Sequence, residues 1–311
     1  GAATGAVTAQ PTFTEADGWN IKWDGSTLTL RNATIEQAKE YGNSHESMAI
    51  YLASGNMNLV LVGENTVDAL GGGSAASCGI NLGSGSLSIS GEDGASLTVY
   101  GGPTEHGNSC GIYANGTITI DSGTVTATGE SASAASYGIY ARGAITINGG
   151  DVTATAGDAG GNSYGIHTAA SSTSITVNGG TVTATSGEAE GDSCGIFAES
   201  QTGASDGSSV TIKSGTVTAT AGDAVGGGWY SCGIRAEGTI TVKDGTVNVK
   251  GGNAAGTGNQ KYSSGLFANV NITVNDGTVI ATGGEATGTV TQRYSTCLLY
   301  TSDAADEARS V

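Results

Sequence analysis

Lysine, arginine, proline and aromatic residues are all scarce in this chain. Its 311 residues include 11 Lys and Arg against 28 Asp and Glu, for a formal net charge of −17, and only 2 Pro. This charge balance argues against nucleic-acid binding and against anionic membrane surfaces. The low proline content excludes collagen and proline-rich linkers. No apolar run is as long as a membrane-spanning helix, so we expect no membrane insertion.

Glycine, threonine, serine and β-branched apolar residues take the place of the missing types. Glycine alone accounts for 54 residues. Ile, Val and Thr alternate with a period of two, which predicts ordered β-strands rather than disorder. The acidic, lysine-poor composition favours an extracellular or cell-surface location. Because the chain starts at Gly1 without a methionine, we expect any signal peptide to lie outside it.

A short motif divides the chain into repeats. It reads CGINL, CGIYA, YGIYA, YGIHT, CGIFA, CGIRA and SGLFA, with first residues Cys78, Cys110, Tyr137, Tyr164, Cys194, Cys232 and Ser264. The spacing of 27–38 residues is typical of solenoids and propellers. A degenerate unit starting at Met48 and the segment STLTLRNATIEQ precede these repeats.

Each repeat has three short alternating runs, a glycine-rich corner between the second and third runs, and a variable loop after the third. This pattern predicts an all-β fold, a single right-handed parallel β-helix with three strands per coil. A propeller blade would need four antiparallel strands and tighter hairpin signals. We expect a lead-in or cap over residues 1–23, the β-helix over 24–296 and a separate tail over 297–311.

Alternation also predicts the core. In the second and third runs, pairs such as Ile118 with Ile120 and Val125 with Ala127 point inward. In the first run, one inward column reads Ile80, Ile112, Ile139, Ile166, Ile196, Ile234 and Leu266.

The residue two positions before each isoleucine of that column shares its parity, so we expect it to point inward too. This column reads Cys78, Cys110, Tyr137, Tyr164, Cys194 and Cys232. Two interpretations stay open: disulfides Cys78–Cys110 and Cys194–Cys232, or free buried thiols beside a tyrosine pair. In-register parallel strands aim their Cβ atoms alongside each other, which favours free thiols. No cysteine or histidine spacing indicates zinc.

The predicted outward positions of the first run are a glycine column and an aromatic-rich column. The second of these, called the aromatic row below, contains Tyr51, Tyr113, Tyr140, His167, Phe197, Arg235 and Phe267, with Asn81 in line. Sugar rings stack on aromatic faces while polar side chains meet their hydroxyls. The row therefore predicts a carbohydrate-binding face with a polysaccharide partner. The alternative is a purely structural aromatic ladder.

The variable loops carry a column of acidic residues. This acid column contains Glu130, Asp158, Glu188, Asp223 and Glu285, with Asn253 in line. Carboxylates repeated in every coil repel one another unless they are solvated or bridged by a cation. Ca²⁺ is the natural bridging ion in an extracellular setting, and solvated loop acids are the alternative.

The sequence shows no catalytic grouping, so we expect a protein that is not an enzyme. The aromatic row includes one arginine and one histidine but no pair of acids, and Glu199 and Glu237 just beyond it have no obvious mates. The histidines His45, His106 and His167 fall in different coils. A polysaccharide-lyase-like activity stays an alternative. TVTAT runs also form a threonine array like those of ice-binding proteins, interrupted by Asp151, Lys250 and Ile280, while outward threonine is a common choice for solvated strands.

Three phrases carry a family resemblance. Units such as GIYANGTITIDSGTVTAT, the lead-in WDGSTLTLRNATI (residues 23–35) and NLVLVGENTV (residues 58–67) resemble bacterial surface proteins described as carbohydrate-binding β-helix domains. The resemblance covers about residues 19–296. It implies a right-handed β-helix shaped like that of pectate lyases, polysaccharide binding and Ca²⁺, and no catalytic residues. An adhesin-like module or a passive surface stalk, monomeric in either case, fits the same phrases.

The last segment has a different character. CLLYTSDAADE, which starts at Cys297, resembles the translation of a transposon-end sequencing adaptor. The phrase YSTC at residues 294–297 also breaks the register that YSCG and YSSG set at residues 230–233 and 262–265. We therefore expect a truncated gene and a tail from residue 298 that adds no coil.

Overall fold

The computed structural model describes residues 19–36, 39–41, 46–70, 75–170, 173–200, 207–256, 260–287, 292–296 and 298–301. Within these ranges every regular element is a β-strand. The described residues accordingly include no helix that is long and apolar enough to cross a membrane.

The strands form three sheets that run the length of a solenoid, one strand of each sheet per coil. The first sheet contains β4 (Lys39–Tyr41), β5 (Glu46–Leu52), β8 (Ala76–Leu82), β11 (Asn108–Ala114), β14 (Ser136–Ala141), β17 (Ser163–Ala169), β20 (Ser193–Glu199), β23 (Tyr230–Ala236), β26 (Gln260–Ala268) and β29 (Gln292–Thr296). The second sheet contains β1 (Ile21–Trp23), β2 (Thr27–Arg31), β6 (Met57–Val62), β9 (Leu87–Gly91), β12 (Ile118–Ile120), β15 (Ile145–Ile147), β18 (Ser174–Val177), β21 (Ser209–Ile212), β24 (Thr239–Val242) and β27 (Asn271–Val274). The third sheet contains β3 (Thr34–Ile35), β7 (Glu64–Asp68), β10 (Ser96–Tyr100), β13 (Thr124–Gly129), β16 (Asp151–Ala156), β19 (Thr181–Thr185), β22 (Thr216–Thr220), β25 (Thr246–Lys250), β28 (Thr278–Thr282) and β30 (Leu298–Thr301).

Neighbouring coils pair in parallel, and equivalent residues stack on one another. Ile112 pairs with Ile80 on one side and with Ile139 on the other. Antiparallel pairs occur only towards the ends of the described chain, between β1 and β2, β4 and β5, and β28 and β30. The parallel β-helix with three strands per coil is therefore confirmed. The strand at 298–301 runs antiparallel to β28, so it does not continue the parallel coils.

The core is a continuous apolar column between the three sheets. The predicted isoleucines of the first run are fully buried, and Leu266 is 6% exposed. The pairs Ile118 with Ile120 and Val125 with Ala127 are likewise fully buried, so the predicted core is confirmed. In-register stacking lets medium-sized side chains fill this interior without large aromatic residues.

The glycine-rich corners between the second and third strands have a conformational cause. Gly123, Gly150, Gly180 and Gly215 occupy equivalent corners with φ between 79° and 92°. This left-handed region is disfavoured for residues that carry a Cβ. The corner glycines therefore let the chain turn from the second sheet into the third in each of these coils.

The predicted parity of the first strand is wrong at its glycine. A Cβ on Gly138 would lie 2.6 Å from the Thr155 backbone nitrogen and 2.8 Å from the Ala154 carbonyl carbon, so this position faces the third strand inside the coil. Ala49, which occupies the same column in β5, packs against the apolar core. Glycine and the following isoleucine both face inward, so alternation breaks between them.

Candidate functional site

The break in alternation moves a whole column to the outer face of the first sheet. The Cys/Tyr column that was predicted to line the core lies instead beside the aromatic row. The ring of Tyr137 stacks on that of Tyr140, with centroids 4.6 Å apart, and Tyr164 contacts His167 at 4.6 Å. Tyr164, Cys194, Phe197 and Cys232 form a buried cluster separate from the main core. The outer face thus carries two adjacent columns of rings.

The aromatic row is in register along the first sheet, but it is unevenly exposed. Tyr113 pairs with Tyr140, and Tyr140 with His167. Tyr51, Tyr113, Tyr140 and Phe267 are half-buried. The middle members are covered, because His167 is 3%, Phe197 is 2% and Arg235 is 7% exposed. These three side chains, which were predicted to bind carbohydrate, therefore offer almost no surface to a ligand, which leaves contact surface mainly at the Tyr113–Tyr140 end and at Phe267.

The rings of the row largely stack on one another. Tyr140 and His167 lie 5.0 Å apart at an angle of 20°, and His167 and Phe197 lie 5.3 Å apart at 18°. Such stacked faces are occupied by their neighbours. Tyr113 and Tyr140 are tilted by 51° at 5.2 Å, so these two rings are not stacked on each other. Because Tyr140 itself stacks on Tyr137 and His167, Tyr113 is the member of the pair without a stacked neighbour among the described residues.

His167 is held by an acid from the next coil. Its Nε2 atom lies 3.0 Å from Oε2 of Glu199. Burial lowers the pKa of His167, and the hydrogen bond from His167 lowers the pKa of Glu199. Both directions favour a neutral imidazole whose Nε2–H donates to a carboxylate. The buried Nδ1 has no hydrogen-bond partner among the described residues.

Arg235 lies in an aromatic and acidic cage. Its Nη1 donates to Oδ2 of Asp192 at 2.9 Å, and Nη2 lies 3.6 Å from Glu237. The guanidinium carbon lies 3.7 Å from the ring centroid of Tyr230 and 4.2 Å from that of Phe197. Burial by itself would lower the pKa of Arg235, but the carboxylate of Asp192 raises it above its ordinary value. The expectation that Glu199 and Glu237 lack partners is therefore wrong, because Glu199 contacts His167 and Glu237 contacts Arg235.

A further set of aromatic residues escaped the sequence interpretation. Tyr230, Tyr262 and Tyr294 stack in register, with centroids 4.8 and 4.9 Å apart and angles of 12° and 7°. Tyr294 is 43% exposed, and Trp229, which precedes Tyr230 in the chain, is 48% exposed. The repeated phrase YS before the motif was visible in the sequence, although only as a marker of register.

The cysteines on this face are thiols. Cys78 and Cys110 pair in register, as do Cys194 and Cys232, and all four are buried and free. Free thiols, the favoured interpretation, are confirmed, although they lie outside the main core. Burial raises the pKa of Cys110 and Cys194, which keeps these thiols protonated and unreactive.

Two carboxylates of the acid column accept hydrogen bonds from backbone N–H groups of the next loop. Asp158 Oδ1 accepts a hydrogen bond from the Glu188 N–H at 2.8 Å, and Asp223 Oδ1 accepts one from the Asn253 N–H at 2.7 Å. Glu130 is exposed to solvent. In the described part of the chain, no three His, Cys, Asp or Glu side chains come together as a metal site would require. Calcium binding in this column stays a prediction.

Four segments of the chain, residues 118–139, 145–170, 175–196 and 210–229, match the family model of the Beta helix repeat. Each match starts in the second sheet and runs through the third towards the next first strand. The match and the three parallel sheets together support a pectate-lyase-like β-helix. No curated protein and no solved structure matches the chain.

Proposed function

We propose that this β-helix is an extracellular polysaccharide-binding module that holds an extended glycan along its first sheet. The observation that carries the proposal is the pair Tyr113 and Tyr140, two half-exposed tilted rings on successive coils. Coils that repeat about every 4.8 Å place such contacts at regular intervals on a rigid core. Several weak contacts of this kind add up along a polymer.

The chemistry of the face favours neutral glycans. The chain has a net charge of −17, which opposes uronate-rich or sulfated polymers. Arg235, the cation of the aromatic row, is already engaged by Asp192 and Glu237. The exposed Arg142 beside Tyr113 and Tyr140, in contrast, offers donors to glycan hydroxyls. The glycan contacts are therefore stacking contacts and hydrogen bonds to neutral hydroxyls, and the module acts without catalysis.

The double variant Tyr113→Ala/Tyr140→Ala tests the proposal. We expect it to weaken polysaccharide binding at least tenfold, about 1.4 kcal/mol, because the unstacked ring of Tyr113 and the exposed part of the Tyr140 ring are lost. The matched control Tyr113→Phe/Tyr140→Phe keeps both rings and should retain most of the affinity. Affinity electrophoresis in gels that contain neutral polysaccharides measures the effect, and melting curves verify that each variant folds.

Two outcomes favour other functions. If the alanine double variant binds every tested glycan as the parent does, the row is a structural ladder and the passive-stalk function gains support. Release of reducing ends or unsaturated products from a polysaccharide would instead indicate a lyase-like or hydrolytic enzyme.

Ice binding is a second candidate, favoured by the register of the third sheet. Thr126, Thr153, Thr183 and Thr218 stack in line on successive coils. Thr128, Thr155, Thr185 and Thr220 form a parallel line beside them. Thermal hysteresis in the parent that is lost in Thr153→Tyr/Thr183→Tyr would establish this function, and its absence in the parent would remove it.

A further inference from the structure

An open cleft lies where the variable loops lead into the first sheet. Its volume is about 470 Å³, and it is lined by residues of three successive coils, among them Asn162, Glu190, Asp192 and Trp229. This volume falls within the range of small-molecule sites, roughly 300–1,000 Å³. The cleft is separate from the Tyr113–Tyr140 pair, which belongs to earlier coils.

A step in loop length creates the cleft. Ala159, Ala189 and Ala224 are aligned by bridges at the start of the loops, and Ser163, Ser193 and Ser231 are paired where the loops end. Between these fixed points the first two loops contain three residues each, 160–162 and 190–192, whereas the third contains six, 225–230. The longer loop must project beyond its two shorter neighbours, and it carries Trp229 at the step.

The projecting loop is held in place by its neighbours. Asp192 Oδ1 accepts hydrogen bonds from the N–H groups of Trp229 at 2.7 Å and Tyr230 at 3.0 Å. The Trp229 carbonyl accepts the N–H of Tyr262 at 2.7 Å. Lys261 Nζ donates to the carbonyls of Gly226 and Gly228. A loop fixed in this way requires little further ordering to bind a ligand.

The side chain of Trp229 is 48% exposed although its backbone is fixed. Its nearest aromatic neighbour is Tyr230, with centroids 6.5 Å apart. An indole held at the edge of a polar cleft offers a flat apolar face next to water, the arrangement in which Trp is enriched at binding surfaces.

The polar groups around Trp229 define the class of ligand. Arg235 neutralises Asp192 by the contact at 2.9 Å, whereas Glu190 is exposed at the lip of the cleft. Asn162 Oδ1 accepts a hydrogen bond from the N–H of Asp192 at 2.8 Å. This contact does not use the Nδ2 amide hydrogens of Asn162, which can donate to a ligand. A carboxylate and an amide beside an indole suit a ring that carries hydroxyl groups, and the exposed carboxylate repels an anionic one.

We infer that the Trp229 cleft is a sugar subsite, in which a neutral pyranose stacks on Trp229 and its hydroxyls meet Glu190 and Asn162. The cleft extends over three coils, about 10 Å at 4.8 Å per coil, so it takes a short stretch of a longer glycan. The inference rests on the proposed function for its ligand class, although the site is different.

Tryptophan fluorescence reports on this cleft alone. The other two tryptophans are Trp19, which lies over Arg31, and Trp23 at the first described strand. In the full chain with Trp19→Phe and Trp23→Phe, Trp229 is the remaining tryptophan, and excitation at a wavelength that tyrosine does not absorb makes the emission specific to it. We expect cellohexaose, xylohexaose, mannohexaose or chitohexaose to change this emission along a saturable curve, and hexagalacturonate to have at least tenfold weaker effect.

A matched pair of variants tests the contact. Trp229→Ala should lower the affinity for the responding oligosaccharide at least tenfold, whereas Trp23→Ala, which removes an indole 37% exposed in the parent, should leave it unchanged. Glu190→Gln should raise the affinity for hexagalacturonate relative to the neutral probe. Calorimetric titration measures these affinities, because Trp229→Ala removes the fluorescent reporter. If Trp229 has only a structural role, the folded Trp229→Ala variant binds the oligosaccharide as tightly as the parent.

The outcomes separate this site from the proposed function. If the parent binds a glycan, but its Trp229 emission stays constant and Trp229→Ala binds as well as the parent, the cleft inference is wrong while polysaccharide binding stands. If Tyr113→Ala/Tyr140→Ala binds the glycan as the parent does and Trp229→Ala does not, the cleft alone is the binding site. If the parent binds no probe, both proposals fail.

Discussion

The variant Gly138→Ala discriminates between the two possible orientations of the first strand. The backbone φ of Gly138 lies outside the left-handed region, so alanine meets no backbone strain. Its new Cβ would lie 2.6 Å from the Thr155 nitrogen and 2.7 Å from the Gly165 carbonyl oxygen. Both atoms belong to the backbone of neighbouring strands, so the first and third sheets must move apart to admit the methyl group.

The two orientations predict opposite signs for the stability change. Overpacking of this kind costs typically about 1–3 kcal/mol of unfolding free energy. An outward glycine replaced by alanine would instead stabilise the protein by about 0.4–1 kcal/mol, because the unfolded chain loses freedom. We therefore expect Gly138→Ala to lower the stability and the melting temperature. For chains of about 150–250 residues the melting temperature falls by roughly 2–4 °C for each kcal/mol lost, and the fall should be somewhat smaller in this longer chain.

Urea unfolding followed by circular dichroism measures the effect. The matched control is Gly149→Ala, whose Cβ would have a single neighbour within 4 Å, the Asp121 carbonyl oxygen at 3.3 Å. We expect this control to lie within about 0.5 kcal/mol of the parent. A Gly138→Ala variant as stable as the parent, or more stable, would refute the inward orientation and with it the placement of the Cys/Tyr column outside.

Three further predictions concern charged groups. Asp192→Ala should lower the free energy of unfolding, measured by urea denaturation, by about 3–5 kcal/mol, because it leaves the buried guanidinium of Arg235 without its closest acid. The double variant Asp192→Ala/Arg235→Met should recover part of this loss, and equal losses in the single and double variants would contradict a buried ion pair. Burial holds the pKa of His167 below 6.5, so the unfolded chain takes up a proton first and stability should fall as the pH drops below about 6.5. His167→Phe should flatten that part of the stability profile, and an unchanged slope would show that other groups cause it. For the acid column, we predict a higher melting temperature in about millimolar Ca²⁺ than in chelator, and identical melting curves would exclude stabilisation by calcium.

The fold could be predicted from the sequence because the same strand pattern recurs in every repeat. Each coil offers the same three alternating runs, and errors in one coil are corrected by the next. Ile112, Ile118 and Val125 mark the interior in one coil, and their equivalents are buried in most of the described coils. Towards the ends, Ile50 is only half-buried and Ile272 is 37% exposed. Strand alternation is a local property of the backbone, so it is readable without knowledge of distant contacts.

The candidate site was harder to predict because its surroundings depend on neighbouring coils. Gly138 interrupts alternation for a reason that lies in the third strand, and a sequence pattern does not show how closely two sheets approach. The buried His167 and Arg235 are paired with Glu199 and Asp192, acids that come from neighbouring coils. The step in loop length that exposes Trp229 was present in the sequence, but its meaning required the registers that fix both ends of the loops.

The binding of neutral polysaccharides by the intact 311-residue chain tests the central claim most directly. Affinity electrophoresis against a panel of neutral and uronate-rich polysaccharides should retard the folded protein in at least one neutral gel, and the retardation should decrease in Tyr113→Ala/Tyr140→Ala or Trp229→Ala. If the folded protein migrates in every polysaccharide gel as it does in a gel without polysaccharide, the proposed binding function is contradicted.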